Sequence, residues 1–207
     1  MKKLVLALAL ISGLAFTANA QDFGFKKGNV LLEGNIGFSS TNNKNAEEKE
    51  TSFNFSPKAG YFVTDKIAVG VQLAFGSEKQ EDYAAGATAF DKDNTFGAGV
   101  FGRYYFLELG KRFKTYTEAG LGFASVKSET NLGKSPSVNE FAFNAGVGAN
   151  YFLTEKLAIN VGLTDVINFT SRKVDVANAK SVTNFNVKAG SINNILNAAQ
   201  FGLALKF

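Results

Sequence analysis

The stretch Gln200-Phe201-Gly202-Leu203-Ala204-Leu205-Lys206-Phe207 decides the fold. Phe201, Leu203, Leu205 and Phe207 fall on one face and Gln200, Gly202, Ala204 and Lys206 on the other, the two-residue period of a β-strand. One face is large and apolar; the other is small or polar. An apolar strand with no charged tail after it would be an exposed edge in water, so it is expected to be covered by another strand or by lipid.

The same alternation recurs upstream. Eight strands are expected, at about 29–39, 52–62, 66–77, 95–107, 113–126, 140–152, 156–164 (with a continuation to Phe169) and 195–207. Their apolar faces carry, for example, Ile67, Val69, Val71, Leu73 and Phe75 on the third strand and Phe141, Phe143, Val147 and Tyr151 on the sixth. The connections alternate in length. Val63–Lys66 and Leu153–Lys156 are tight turns, Leu107–Arg112 is slightly longer, and the intervening loops are long and polar. One hairpin is used twice: Tyr61–Val69 matches Tyr151–Ile159 position by position, ninety residues apart.

The second face shows which way the sheet turns. The third strand offers Ala68, Gly70, Gln72, Ala74 and Gly76 there; the sixth offers Ala142, Asn144, Gly146, Gly148 and Asn150. A face meeting bulk water would be rich in Lys, Glu and Thr. These small residues suit the inside of a narrow barrel, which leaves the large apolar face to meet lipid. Aromatic placement agrees. Outward Phe38, Phe53, Phe75, Phe96, Phe123 and Phe141 stand near the loop ends, and Tyr61, Tyr104 and Tyr151 near the turn ends. Phe53 to Tyr61 spans about 20 Å at ~3.3 Å per residue and ~40° tilt, which approximates the apolar band of a membrane barrel. The expected fold is all-β: an eight-stranded antiparallel up-and-down transmembrane β-barrel.

Composition bounds the function. Phe and Gly number 21 each, Pro only two, and there is no Cys or His. Without Cys there is no disulfide or thiolate metal site; without His the commonest general base and metal ligand is missing. The net charge of +4 is too small to suggest a nucleic-acid partner. Met1-Lys2-Lys3, the apolar run Leu4–Leu14 and Ala18-Asn19-Ala20 read as a signal peptide over 1–20, with the barrel domain over 21–207. Gly97–Gly102 fits GxGxxG in letters, but it lies inside a strand with no helix after it. Asp91-Lys92-Asp93-Asn94 lacks the Gly and distant Glu of a calcium loop and is expected to be a solvated acidic turn. No catalytic residue, metal site or cofactor is expected. Inside the barrel, Glu33, Lys58, Arg103, Glu118 and Lys206 fall on the lumen face in the half nearest the turns. They are expected to form a salt-bridge network that fills the lumen, or a gate.

The polar–x–Gly–x–x–apolar–x–aromatic ending, with Gln200, Gly202, Leu205 and Phe207 in its slots, resembles the assembly signal of bacterial outer-membrane barrels. The whole chain after the leader resembles the small eight-stranded barrels of the OmpA/OmpX type, in the outer-membrane β-barrel domain family. That resemblance implies an outer-membrane location with turns in the periplasm. It also implies lipid and lipopolysaccharide around the barrel, and chaperones and the barrel-assembly machinery during biogenesis. Phe53, Tyr61, Phe75, Phe96, Tyr104, Phe141 and Tyr151 would line the membrane interfaces. Barrel enzymes of this class use a His, so the expectation is a structural or surface-interaction protein and not an enzyme. A narrow porin-like channel is the alternative, and a soluble periplasmic lipid-binding barrel the third reading. The long loop 165–194 could extend the seventh and eighth strands and meet a surface ligand.

Overall fold

The computed structural model describes residues 23–83, 89–187 and 200–207. The leader, residues 188–194 of the long loop and residues 195–199 of the expected eighth strand lie outside them. Ten strands are present among the described residues: β1 (Val30–Asn43), β2 (Glu48–Phe62), β3 (Ile67–Asp82), β4 (Ala89–Leu109), β5 (Phe113–Thr130), β6 (Gly133–Lys134), β7 (Val138–Phe152), β8 (Leu157–Val174), β9 (Val182–Val187) and β10 (Gln200–Lys206). Every pairing is antiparallel. β1 to β5, β7 and β8 follow one another around the sheet, and β10 pairs with both β8 and β1, which closes an eight-stranded barrel. Closure leaves the ring no free edge. β6 is a two-residue hairpin partner of β5, and β9 pairs with β8 beyond the ring.

The barrel is inverted relative to a soluble protein. Phe38 is 72% exposed and Phe123 69%, while Arg103 is 1% exposed and Asn150 0%. Large apolar side chains face out and polar ones face in, which rules out a soluble lipid-binding barrel, whose apolar face would line the cavity.

The repeated hairpin has one physical solution in both copies. Val63 N–H donates to Ile67 O and Leu153 N–H to Leu157 O, at 2.9 and 2.8 Å. Thr64 Oγ1 accepts from the N–H groups of Lys66 and Ile67, and Thr154 Oγ1 from those of Lys156 and Leu157. The threonine hydroxyl satisfies backbone donors that the sharp turn leaves without a carbonyl.

At the loop end the strands run further than the apolar alternation indicates. The polar segment between the first two expected strands contributes the ends of β1 and β2, with only residues 44–47 between them. Asp91–Asn94 is not a turn but part of β4, paired with residues 77–80 of β3. The long loop holds the end of β8 and all of β9, with Phe169 opposite Phe185. Beyond the membrane both sheet faces meet water, so the apolar period vanishes while backbone pairing continues. The charged residues there still alternate, as described below.

Candidate functional site: the lumen

The lumen is filled at the turn end and open at the loop end. Arg103 on β4 is its centre. Its NH1 and NH2 donate to Glu33 Oε2 and Oε1 at 2.8 and 3.1 Å, a two-pronged grip on a carboxylate from β1. Its Nε donates to Glu118 Oε2 from β5 at 2.8 Å, and NH2 stands 2.6 Å from the same oxygen. Lys58 on β2 donates to the other oxygen of Glu118. The sheet sets this up: Glu33 is opposite Lys58, and Arg103 opposite Glu118. The charges thus compensate across the bore, which a buried ion requires.

Neutral groups complete the network. Tyr105 accepts from Arg103 NH1 at 3.3 Å and donates to Asn150 Oδ1 at 2.7 Å. Tyr116 donates to Asn160 Oδ1 at 2.8 Å, and Asn160 Nδ2 donates to Glu33 Oε1 at 3.0 Å. The Tyr116 ring lies 3.9 Å from the Arg103 guanidinium carbon, within cation–π range. Four of the five charged residues expected in the lumen therefore meet. Lys206 does not join them. It sits nearer the mouth, where its Nζ donates to Gly24 O at 2.8 Å.

Below the network an aromatic cluster occupies the turn end. Phe25 stacks on Phe62 at 4.3 Å and touches Tyr105 and Phe152 at 5.0 and 5.2 Å. Phe23 packs edge-on against Phe152, beneath the Arg112 guanidinium. The strap Phe23–Asn29 is held by Lys206 and by Lys27 N–H donating to Asp65 Oδ1 at 2.8 Å. Sequence reasoning missed this cluster, together with Tyr105, Tyr116 and Asn160. The two tyrosines were findable, since each lies two residues from an inward charge and so on the same face. Phe23 and Phe25 precede any periodic segment and give no such signal.

Above the network lies a cavity of about 340 Å³ whose floor includes Glu33, Lys58 and Glu118 and whose walls include Gln72, Gly97, Gly120 and Asn144. Glu140 and Arg172 form an ion pair at its mouth. At Gly148 and Gly202, among other glycines, close approach excludes a larger residue. A Cβ on Gly148 would sit 2.4 Å from the Tyr116 ring, and one on Gly202 would sit 1.8 Å from Asn35 Oδ1. Gly202 thus has a packing role besides its place in the C-terminal signature.

The apolar and aromatic residues singled out in the sequence lie outside the lumen. Phe201, Leu203, Leu205 and Phe207 face out, and Gln200 is paired with Gly162 of β8. Phe207 and Val30 exchange both backbone hydrogen bonds at 2.9 Å. Phe53, Phe75 and Phe96 are exposed near the loop end, and Tyr61, Tyr104 and Tyr151 near the turn end. Phe141 stands between Phe123 and Phe169, with ring centres 5.0 and 6.3 Å away.

Comparison with known proteins places this architecture. The model of the outer membrane protein beta-barrel domain family matches residues 5–207. The chain is 23% identical over 159 residues to outer membrane porin F of Pseudomonas fluorescens, covering 75% of this chain and 45% of that protein. It therefore spans less than half the length of that relative. The outer membrane protein OprG of Pseudomonas aeruginosa superposes with a TM-score of 0.49 at 13% identity, over 89% of this chain and 98% of that one. Outer membrane protein W of E. coli does so with a TM-score of 0.46 at 15% identity, over 88% and 99%. With the family model covering the barrel from end to end, this chain belongs to the outer membrane protein beta-barrel domain family of the bacterial outer membrane.

Proposed function

We propose that the chain is a closed, non-conducting barrel with a structural and surface-presenting role, and not an enzyme. The observation that carries this is the doubly sealed turn half of the lumen: the Arg103 network spans the bore, and the Phe25 plug lies beneath it. A hydrated ion would have to break a compensated charge network and displace a stacked aromatic cluster to pass. The upper cavity is then a blind vestibule. Beyond the membrane, β9 exposes Val182, Phe185 and Val187, which supports a surface-contact role for the β8–β9 hairpin. Planar-bilayer recording of the refolded full chain tests the closed lumen. The expected result is no discrete conductance. Reproducible single-channel steps that vanish on Arg103 or Glu118 substitution would establish the narrow channel instead.

A further inference from the structure

Above the vestibule the strand pairing turns two acids toward each other. Glu78 on β3 and Asp93 on β4 are directly opposite, in a register without a break. Their chain neighbours Lys79 and Lys92 face out, with Lys79 Nζ 5.6 Å from the outward Phe90 ring. Alternation therefore points both carboxylates into the bore. Cβ atoms at directly opposed positions are about 4.5–5.5 Å apart, and like charges there destabilise a sheet. Both acids line a cavity of about 560 Å³ at the loop end, together with Ser52, Thr95 and Ser128. Ser52 is opposite Glu78 and Ser128 is opposite Asp93. Arg172 lines the same cavity, but its guanidinium is engaged by Glu140. Glu78 and Asp93 are thus left without a counter-charge among the described residues. Asp93 Oδ1 is buried and accepts no hydrogen bond. A carboxylate oxygen removed from water calls for a donor or a cation.

The lining selects the kind of cation. No group of three acidic side chains placed to hold a metal ion occurs among the described residues. A metal ion here would draw most of its ligands from water. Two carboxylates and three hydroxyls instead match a primary ammonium, which carries three N–H donors and no acceptor. Val126 and Val138 line the same cavity and suit an alkyl stem. Glu50 and Asp91 share the inward parity two residues nearer the rim, and add to a negative field that draws cations into the bore. The bore of an eight-stranded barrel is narrow, so the ligand has to be slender.

We infer that Glu78 and Asp93 bind the primary ammonium of a small aliphatic diamine that enters from the loop end. One ammonium sits between the two carboxylates and donates to Asp93 Oδ1. The second is directed toward Glu50 or Asp91 at the rim. The site lies above the Arg103 network and needs nothing from it, so it holds whether or not the lumen conducts.

The full chain, folded in uncharged detergent and checked by heat-modifiable gel mobility, would be titrated calorimetrically with cadaverine. The comparison ligands are pentamethonium, which keeps both charges and the spacer but has no N–H, and calcium chloride. Saturable binding of cadaverine is expected. Binding should be at least about tenfold weaker for pentamethonium, and for cadaverine with D93N or E78Q. The variant E81Q/E129Q, which removes two outward acids, should bind cadaverine as the wild type does. Added cadaverine should raise the urea midpoint of the wild type and leave that of D93N in place. The ammonium site is overturned if cadaverine shows no saturable binding, if pentamethonium binds equally well, if calcium binds more tightly and displaces the diamine, or if D93N and E78Q both keep wild-type affinity. The ligand comparisons use the wild-type chain, so a variant that fails to fold leaves the test decisive.

Discussion

At the residue scale Arg103 carries the greatest electrostatic load. It is fully enclosed between Glu33 and Glu118, with every guanidinium nitrogen engaged by a carboxylate. Among the described residues, removing it would leave Glu33 with one side-chain hydrogen bond, from the amide of Asn160. Breaking a buried ion pair from one side costs about 3–5 kcal/mol, because a desolvated charge is stranded. Arg103→Met should therefore lower the unfolding free energy by about that much, measured by urea titration of the gel-shifted folded band. The double variant R103M/E33Q should recover part of the loss, since a Gln oxygen can still accept from Asn160. Equal stability of the single and double variants would show that the charge on Glu33 is not what Arg103 compensates. Glu33, Lys58, Arg103 and Glu118 could be gathered from the sequence because parity and strand order put them on adjoining inward positions. Lys206 could not be separated from them, because parity gives the face and not the depth. Only the strap, through Gly24, shows that it belongs to the mouth.

At the element scale, the turns were legible and the strand ends were not. A tight turn has a chemical signature, and Tyr61–Val69 repeats in Tyr151–Ile159 down to its hydroxyl acceptor. The strand ends carry no apolar alternation, so β4 was read as starting at Thr95 when it begins at Ala89. Charge alternation was the available signal: Lys92 and Phe90 face out while Asp91 and Asp93 face in. The turn threonines give a direct test. Replacing Thr64 or Thr154 with Val keeps the shape and removes two accepted hydrogen bonds. Each substitution should cost about 0.5–1.5 kcal/mol. The two sites share no partner, so the costs should add in the double variant. Urea midpoints of the two single variants and the double would check this. An unchanged midpoint would mean that water replaces the hydroxyl fully.

At the scale of the whole molecule, the barrel is closed twice by unrelated means. The hydrogen-bond ladder closes it around the circumference, where β10 joins β8 to β1 and Phe207 joins Val30. That closure was legible because it follows from eight alternating strands. The strap closes it along the axis, where Phe23 and Phe25 enter the turn-end mouth and complete a cluster with Leu31, Phe62, Tyr105 and Phe152. This second closure was not legible, since two phenylalanines around a glycine carry no period and their partners lie across the bore. The two closures should be separable. Substituting Phe23 and Phe25 together with Ala leaves every ladder hydrogen bond in place, so the β-sheet circular dichroism and heat-modifiable mobility should persist. The loss of two ring contacts should lower stability by a few kcal/mol, on the order of one buried Phe→Ala change because both rings are only partly enclosed. A cysteine introduced at Ala68, buried in the same cluster, should be slow to react with a water-soluble thiol reagent in the wild-type background and faster in the double variant. If the reaction rate and the urea midpoint both stay at wild-type values, the strap does not limit access to the turn-end cluster.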